Sequence, residues 1–147
     1  MSFNLFIKQR TQKKLVLRDW LFISCLFSVL LACTRIIFTG YFTYIFLIWN
    51  LFLAFVPYLI SERLYNNIQT IEHKWKRTII LLLWLLFIPN SFYIVTDLFH
   101  LEQFDSAPKW FDLLLLFSFA WNGLLFGILS VRKIEWILRA VYGERVS

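Results

Sequence analysis

Four uninterrupted apolar runs divide the chain, at about 20–38, 41–60, 78–95 and 110–131. Each meets the length of about 20 residues that a helix needs to cross a hydrocarbon core roughly 30 Å thick. None alternates apolar with polar residues as a half-buried strand would, and in lipid a helix satisfies all of its own backbone hydrogen bonds. The expected fold is all-α, an integral membrane bundle of four transmembrane helices forming a single domain over residues 1–147. Thr39 and Gly40 alone separate the first two runs, which should therefore form a tight helical hairpin. A hydrophobic content of 60% exceeds the roughly 45–50% of soluble domains, and a bilayer is the natural sink for that surface.

Charge orients the bundle. The net charge of +6 would suggest nucleic acid for a soluble protein, but here the basic residues fall between the spans, so no nucleic-acid partner is expected. Lys8, Arg10, Lys13, Lys14 and Arg18 precede the first span, and Arg63, Lys74, Lys76 and Arg77 lie between the second and third. Arg132, Lys133, Arg139 and Arg145 follow the fourth. If every span crosses, all three segments share one side, and the positive-inside rule makes that side cytoplasmic. Both termini then face the cytoplasm, with residues 1–19 a basic start that Asp19 closes as a helix cap, and 132–147 a tail whose mixed apolar and charged residues suit a helix lying on the inner surface. The start has no signal-peptide cleavage pattern and reads as a retained anchor.

The segment Pro89-Asn90-Ser91-Phe92-Tyr93-Ile94-Val95-Thr96-Asp97-Leu98-Phe99-His100-Leu101 carries the chemistry, because it places ionisable groups where the third span leaves the membrane. Pro89 should kink or restart that helix. If the helix continues, a turn of about 100° per residue sets Asn90, Tyr93, Asp97 and His100 on one face, with Thr96 one step aside. Three readings of Asp97 and His100 are open. They can hold a divalent metal such as zinc, manganese or iron with help from Glu102, Asp105 or Asp112. They can act as an acid and base, or contact a ligand. Or they can hydrogen-bond to each other and to neighbouring helices, simply ending the span.

Other polar residues lie at related depths. Arg35, near the outer end of the first span, can pair with Asp97 or Asp112, or snorkel to headgroups. Asn50 and Asn122 fall near the midplane and need partners, either one another or carbonyls freed by Pro89. Ala120, Gly123, Gly127 and Ser130 form a small-residue stripe suited to close helix packing, within the bundle or in a homo-oligomer. Cys25 and Cys33, eight positions apart in one span, match no metal or redox spacing and should be free thiols.

The string Trp84-Leu85-Leu86-Phe87-Ile88-Pro89-Asn90, with Tyr93, Thr96-Asp97 and His100-Leu101, resembles the hallmark of a bacterial integral-membrane family catalogued as domain of unknown function 1361. Trp49-Asn50-Leu51, Leu53-Ala54 and Pro57 in the second span, and Trp110, Asp112, Ala120-Trp121 and Gly123 in the fourth, extend the resemblance over roughly 35–130. It implies a bacterial plasma-membrane location and a role for Asn90, Asp97 and His100 beyond packing, but no activity. It also implies further spans and a second polar segment, which this chain, ending at Ser147, does not contain. The expected function is a membrane scaffold or partner subunit with an outward Asp/His site. The alternatives are a metal-assisted membrane enzyme acting on a lipid-linked or envelope substrate, and a transporter component. The bilayer and a membrane partner protein are the expected partners.

Overall fold

The computed structural model describes residues 2–42, 44–67, 73–102 and 107–142, with the side chains of 2–16, 102 and 142 outside that description. Every regular element among the described residues is helical: α1 Ser2–Thr39, α2 Ile45–Asn66, α3 Lys74–Tyr93, a 3-10 segment Ile94–Glu102, and α4 Lys109–Tyr142. Four helical stretches are long and apolar enough to cross a membrane, Leu17–Thr39, Ile45–Asn66, Lys74–Leu101 and Lys109–Val141. Large apolar side chains such as Phe22, Ile37, Trp49, Leu86 and Phe117 lie on the outside of the bundle, the arrangement expected where lipid rather than water is the solvent.

The helices outrun the apolar runs. No glycine or proline interrupts residues 2–39, so α1 begins far ahead of the hydrophobic segment, and Asp19 lies inside it rather than capping it. Gly40, at φ +70°, closes α1 by donating its N–H to the Ile36 carbonyl (2.8 Å). At the other end of the chain, α4 continues without a break to Tyr142, so the tail does not form a separate surface helix. Ile134, Ile137, Leu138 and Val141 recur at helical spacing and pack against Leu64, Tyr65, Ile80 and Leu81, which holds the extension to the bundle.

α4 is the central helix. Asp112, Leu115, Phe119, Asn122, Phe126, Ser130 and Ile137 follow one buried stripe along it. Against that stripe pack α2, the 3-10 segment, α1 and α3. The hairpin between α1 and α2 exists as a connection, but the two helices scarcely touch: α1 leans on α4 instead. Polar contacts explain the lean. Asn122 of α4 donates to Ser28 Oγ (2.9 Å) and to the Ser24 carbonyl (3.2 Å), and Arg35 is held by Asp112.

Pro89 does not end α3, which runs on to Tyr93 with the proline ring exposed. The helix then tightens into a 3-10 turn at Ile94. The reason for tight packing here lies on the facing helix. A Cβ on Gly123 would collide with Ile94 Cγ2, and one on Gly127 would stand 2.9 Å from Ser91 Cβ, so both glycines, with Ala120 beside them, give the third span room to approach α4. The small-residue stripe is thus occupied within the bundle.

Candidate functional site: a buried polar cluster at one end of the bundle

The end of α1, the starts of α2 and α4, and the 3-10 segment converge at one end of the bundle. Arg35 grips Asp112 through two parallel bonds, Nε to Oδ1 (2.6 Å) and Nη2 to Oδ2 (3.0 Å). Both side chains are only 1% exposed. This fork-on-fork geometry is the strong form of an arginine–carboxylate pair. Removing both charges from solvent is costly, so the pair persists only because its geometry is good and its surroundings are polar.

Tyr44, the residue before α2, supplies part of those surroundings. The Arg35 guanidinium lies 4.4 Å from its ring centroid, a cation–π contact. Burial pushes the Tyr44 phenol up from 10.0 to about 12, and the Asp112 carboxylate adds to the rise while Arg35 opposes it. The Tyr44 hydroxyl also reaches the His100 carbonyl (3.5 Å), which ties the ion pair to the 3-10 segment.

In that segment the rotation per residue is about 120° rather than 100°, so positions three apart eclipse one another. Ile94, Asp97 and His100 therefore fall on one line, and Ile94 and Asp97 are both buried. Asp97 accepts a hydrogen bond from Asn50 Nδ2 of α2 (2.9 Å). His100 packs its ring 5.4 Å from that of Phe46, and its Nδ1 is buried without a hydrogen-bond partner among the described residues.

The same change of winding separates the residues expected on one face. Tyr93 is 70% exposed and points away from Asp97, which is 5% exposed. Thr96 turns its hydroxyl back to the Tyr93 carbonyl (2.7 Å), and Asn90 is half-buried and donates to the Phe87 carbonyl (3.2 Å). The structure thus joins Asp97 to Asn50 and Arg35 to Asp112 and sets His100 against Phe46, while Asn90 and Thr96 turn their side chains to the carbonyls of their own segment and Tyr93 is exposed. Asn50 and Asn122 do not meet either: Asn50 lies near the start of α2, at the level of Asp97, whereas Asn122 faces α1.

For a metal, Asp97 and His100 are the described candidates. Asp105 and the side chain of Glu102 lie outside the described residues. Asp112 is committed to Arg35 through both oxygens and is not available as a ligand. Among the described residues no three His, Cys, Asp or Glu side chains group in a way that could hold an ion.

Several participants were not singled out from the sequence. Tyr44 and Phe46 carried no signal apart from aromatic character at the start of a span. Ser24 and Ser28, one turn apart in an apolar run, did carry one, since paired hydroxyl residues in a span commonly bond a neighbouring helix. Trp84 donates Nε1–H to Ser130 Oγ (2.7 Å), whose hydroxyl donates to the Pro57 carbonyl (2.8 Å). This relay fastens α3, α4 and α2 at mid-depth, and Ser91 Oγ adds a second tie to the Ala54 carbonyl (2.9 Å).

A multi-pass helical membrane protein with a desolvated charge cluster at one end of its bundle is the class these features define. The family model described as "Protein of unknown function (DUF1361)" matches residues 49–147, the greater part of the sequence. The chain belongs to that family. The match includes the segment around Asp97 and His100 and continues past the fourth apolar run into the tail. No curated protein and no solved structure matches the chain.

Proposed function

We propose that the protein is a scaffold or partner subunit of the bacterial plasma membrane, with both termini cytoplasmic and the Asp97–His100 end outward. The observation that carries this reading is the commitment of the carboxylates. Asp112 is held bidentately by Arg35 and Asp97 is bonded by Asn50, so both serve to join helices. A site of this kind fixes the relative positions of α1, α2, the 3-10 segment and α4, and presents a shaped, lipid-facing surface to a membrane partner. The orientation rests on basic residues at the end where the chain starts and α4 finishes, including Arg18, Arg132 and Lys133.

One observation favours a second reading, a membrane enzyme or ligand-binding site acting on a lipid-linked or envelope substrate. The Nδ1 of His100, three positions from Asp97, is buried without a hydrogen-bond partner among the described residues. Replacing Asp97 by Asn separates the two, because the side chain keeps its shape and its contact to Asn50 while losing the charge. Complementation of a deletion strain by Asp97→Asn, at wild-type abundance and melting temperature, is the outcome expected of a scaffold. Loss of complementation by the equally stable variant would overturn the scaffold reading and favour chemistry at His100.

A further inference from the structure

The separation of α1 from α2 leaves a groove of about 730 Å³ along the side of the bundle, floored by Phe126 of α4. Its polarity runs in one direction. Arg18, Glu62 and Asn66 line the basic end, and the walls beyond them, including Cys25 and Phe55, are apolar. A space this size is typical of a ligand site rather than a packing defect. Water does not occupy an apolar cavity for want of hydrogen-bond partners, and the groove lies within spans that cross a membrane.

Three features identify the occupant. The α2 wall from Ile48 to Asn66 is about 27 Å long at ~1.5 Å per residue, enough for a headgroup and a chain that fills one leaflet, about 15 Å of hydrocarbon. The charge at the mouth is unevenly satisfied. Glu62 is paired with Lys133, which also sits 3.8 Å above the Tyr58 ring, whereas among the described residues Arg18 makes only a loose 3.9 Å contact with its neighbour Asp19 at the exposed edge. Arg18 is thus a cation available at headgroup depth above an apolar channel. A helix from a second copy would have to bury Arg18 against apolar side chains, at a cost a phosphate does not incur.

We propose that this groove binds one phospholipid of the surrounding bilayer, with its phosphate on Arg18 and an acyl chain lying between α1 and α2 past Cys25. The bound lipid fills the gap that α1 leaves by leaning on α4, and so completes the wall between the first two helices.

The two cysteines provide the test, since Cys25 lines the groove and Cys33 is exposed on the same helix. Full-length protein would be presented with palmitoyl-oleoyl phosphatidylglycerol, or with the matching diacylglycerol that has no phosphate, and bound lipid counted by native mass spectrometry. Wild type and Cys33→Trp should each retain one phospholipid and little diacylglycerol, and Cys25→Trp should retain neither. Arg18→Gln should weaken retention about tenfold, as for loss of a hydrogen bond to a charged group. Equal retention by Cys25→Trp and wild type, or equal retention of diacylglycerol, would overturn the proposal. So would a wild-type dimer that Cys25→Trp dissolves, which would give the groove to a second copy. Should Cys25→Trp fail to fold, a Cys33→Ser protein labelled with a membrane-permeant maleimide serves instead. Added phosphatidylglycerol should slow modification of Cys25, and an unchanged rate counts against a bound lipid.

Discussion

The two ends of the bundle hold charge in opposite ways. At one, Arg35 and Asp112 are sealed from solvent and locked in a two-bond fork beneath Tyr44. At the other, Lys133 and Glu62 pair at the rim with side chains 18% and 34% exposed, and Arg18 stays open to its surroundings. Sequence spacing does not distinguish the two pairs, for each joins a cation and a carboxylate from different helices. Desolvation does. A sealed pair is strongly asymmetric, because removing one member strands the other, whereas a rim pair loses only a screened attraction.

This contrast predicts a graded series of effects. The largest belongs to Arg35→Ala, which leaves the Asp112 carboxylate buried and unpaired and should destabilise the protein by about 3–5 kcal/mol, read as a fall in melting temperature in detergent. Replacing both members, Arg35→Met with Asp112→Leu, should restore much of that loss, since well-packed apolar residues substitute for a buried pair at little cost. If the double variant is as unstable as the single, the sealed end is held by something other than its charge balance. Next comes Gly123→Ala, which forces a methyl into Ile94 and should cost about 1–3 kcal/mol by overpacking; a denaturant midpoint equal to wild type would show that the 3-10 segment can step back freely. Asn50→Ala removes the donor from Asp97 and should also cost about 1–3 kcal/mol; an additional Asp97→Ala should recover part of it in a double-variant cycle. Smallest is Lys133→Met at the rim, expected below about 1 kcal/mol by the same melting assay. A loss as large as that of Arg35→Ala would erase the distinction between the ends.

Tyr44 gives the sealed end a pH signature. Its phenol is raised from 10.0 to about 12. The stability it contributes is therefore complete below about pH 10 and lost as pH climbs through about 12, because the unfolded state gives up that proton first. An absorbance titration of the phenols should contain a late step that Tyr44→Phe removes.

Much of this architecture was legible in the sequence because it depends on properties that sum along one segment. Length and apolarity alone set the four spans, and the glycine stripe followed from spacing on a single helix. Depth alone brought Arg35 level with both Asp97 and Asp112, and the choice of Asp112 over Asp97 or the headgroups came only with the packing of α1 on α4. What escaped depends on two segments at once. Pro89 drew attention as the point of irregularity, yet the helix passes through it and changes its winding at Ile94, opposite Gly123. That change of about 20° per residue is invisible in the local sequence, and over four residues it turns Tyr93 away from Asp97. The Trp84–Ser130–Pro57 relay escaped for the same reason, since each member on its own helix looks like an ordinary residue in a span.

The lean of α1 toward α4 also sets an order of events during biosynthesis. Arg35 and its counter-ion are 77 positions apart, and α2, the next helix to emerge, offers α1 almost no contact. At synthesis rates of about 5–20 residues per second, the arginine waits roughly 4–15 s before Asp112 exists. For that interval an unneutralised cation must be sheltered at the headgroups or by the insertion machinery, and the first helix takes its final place only after the last has entered.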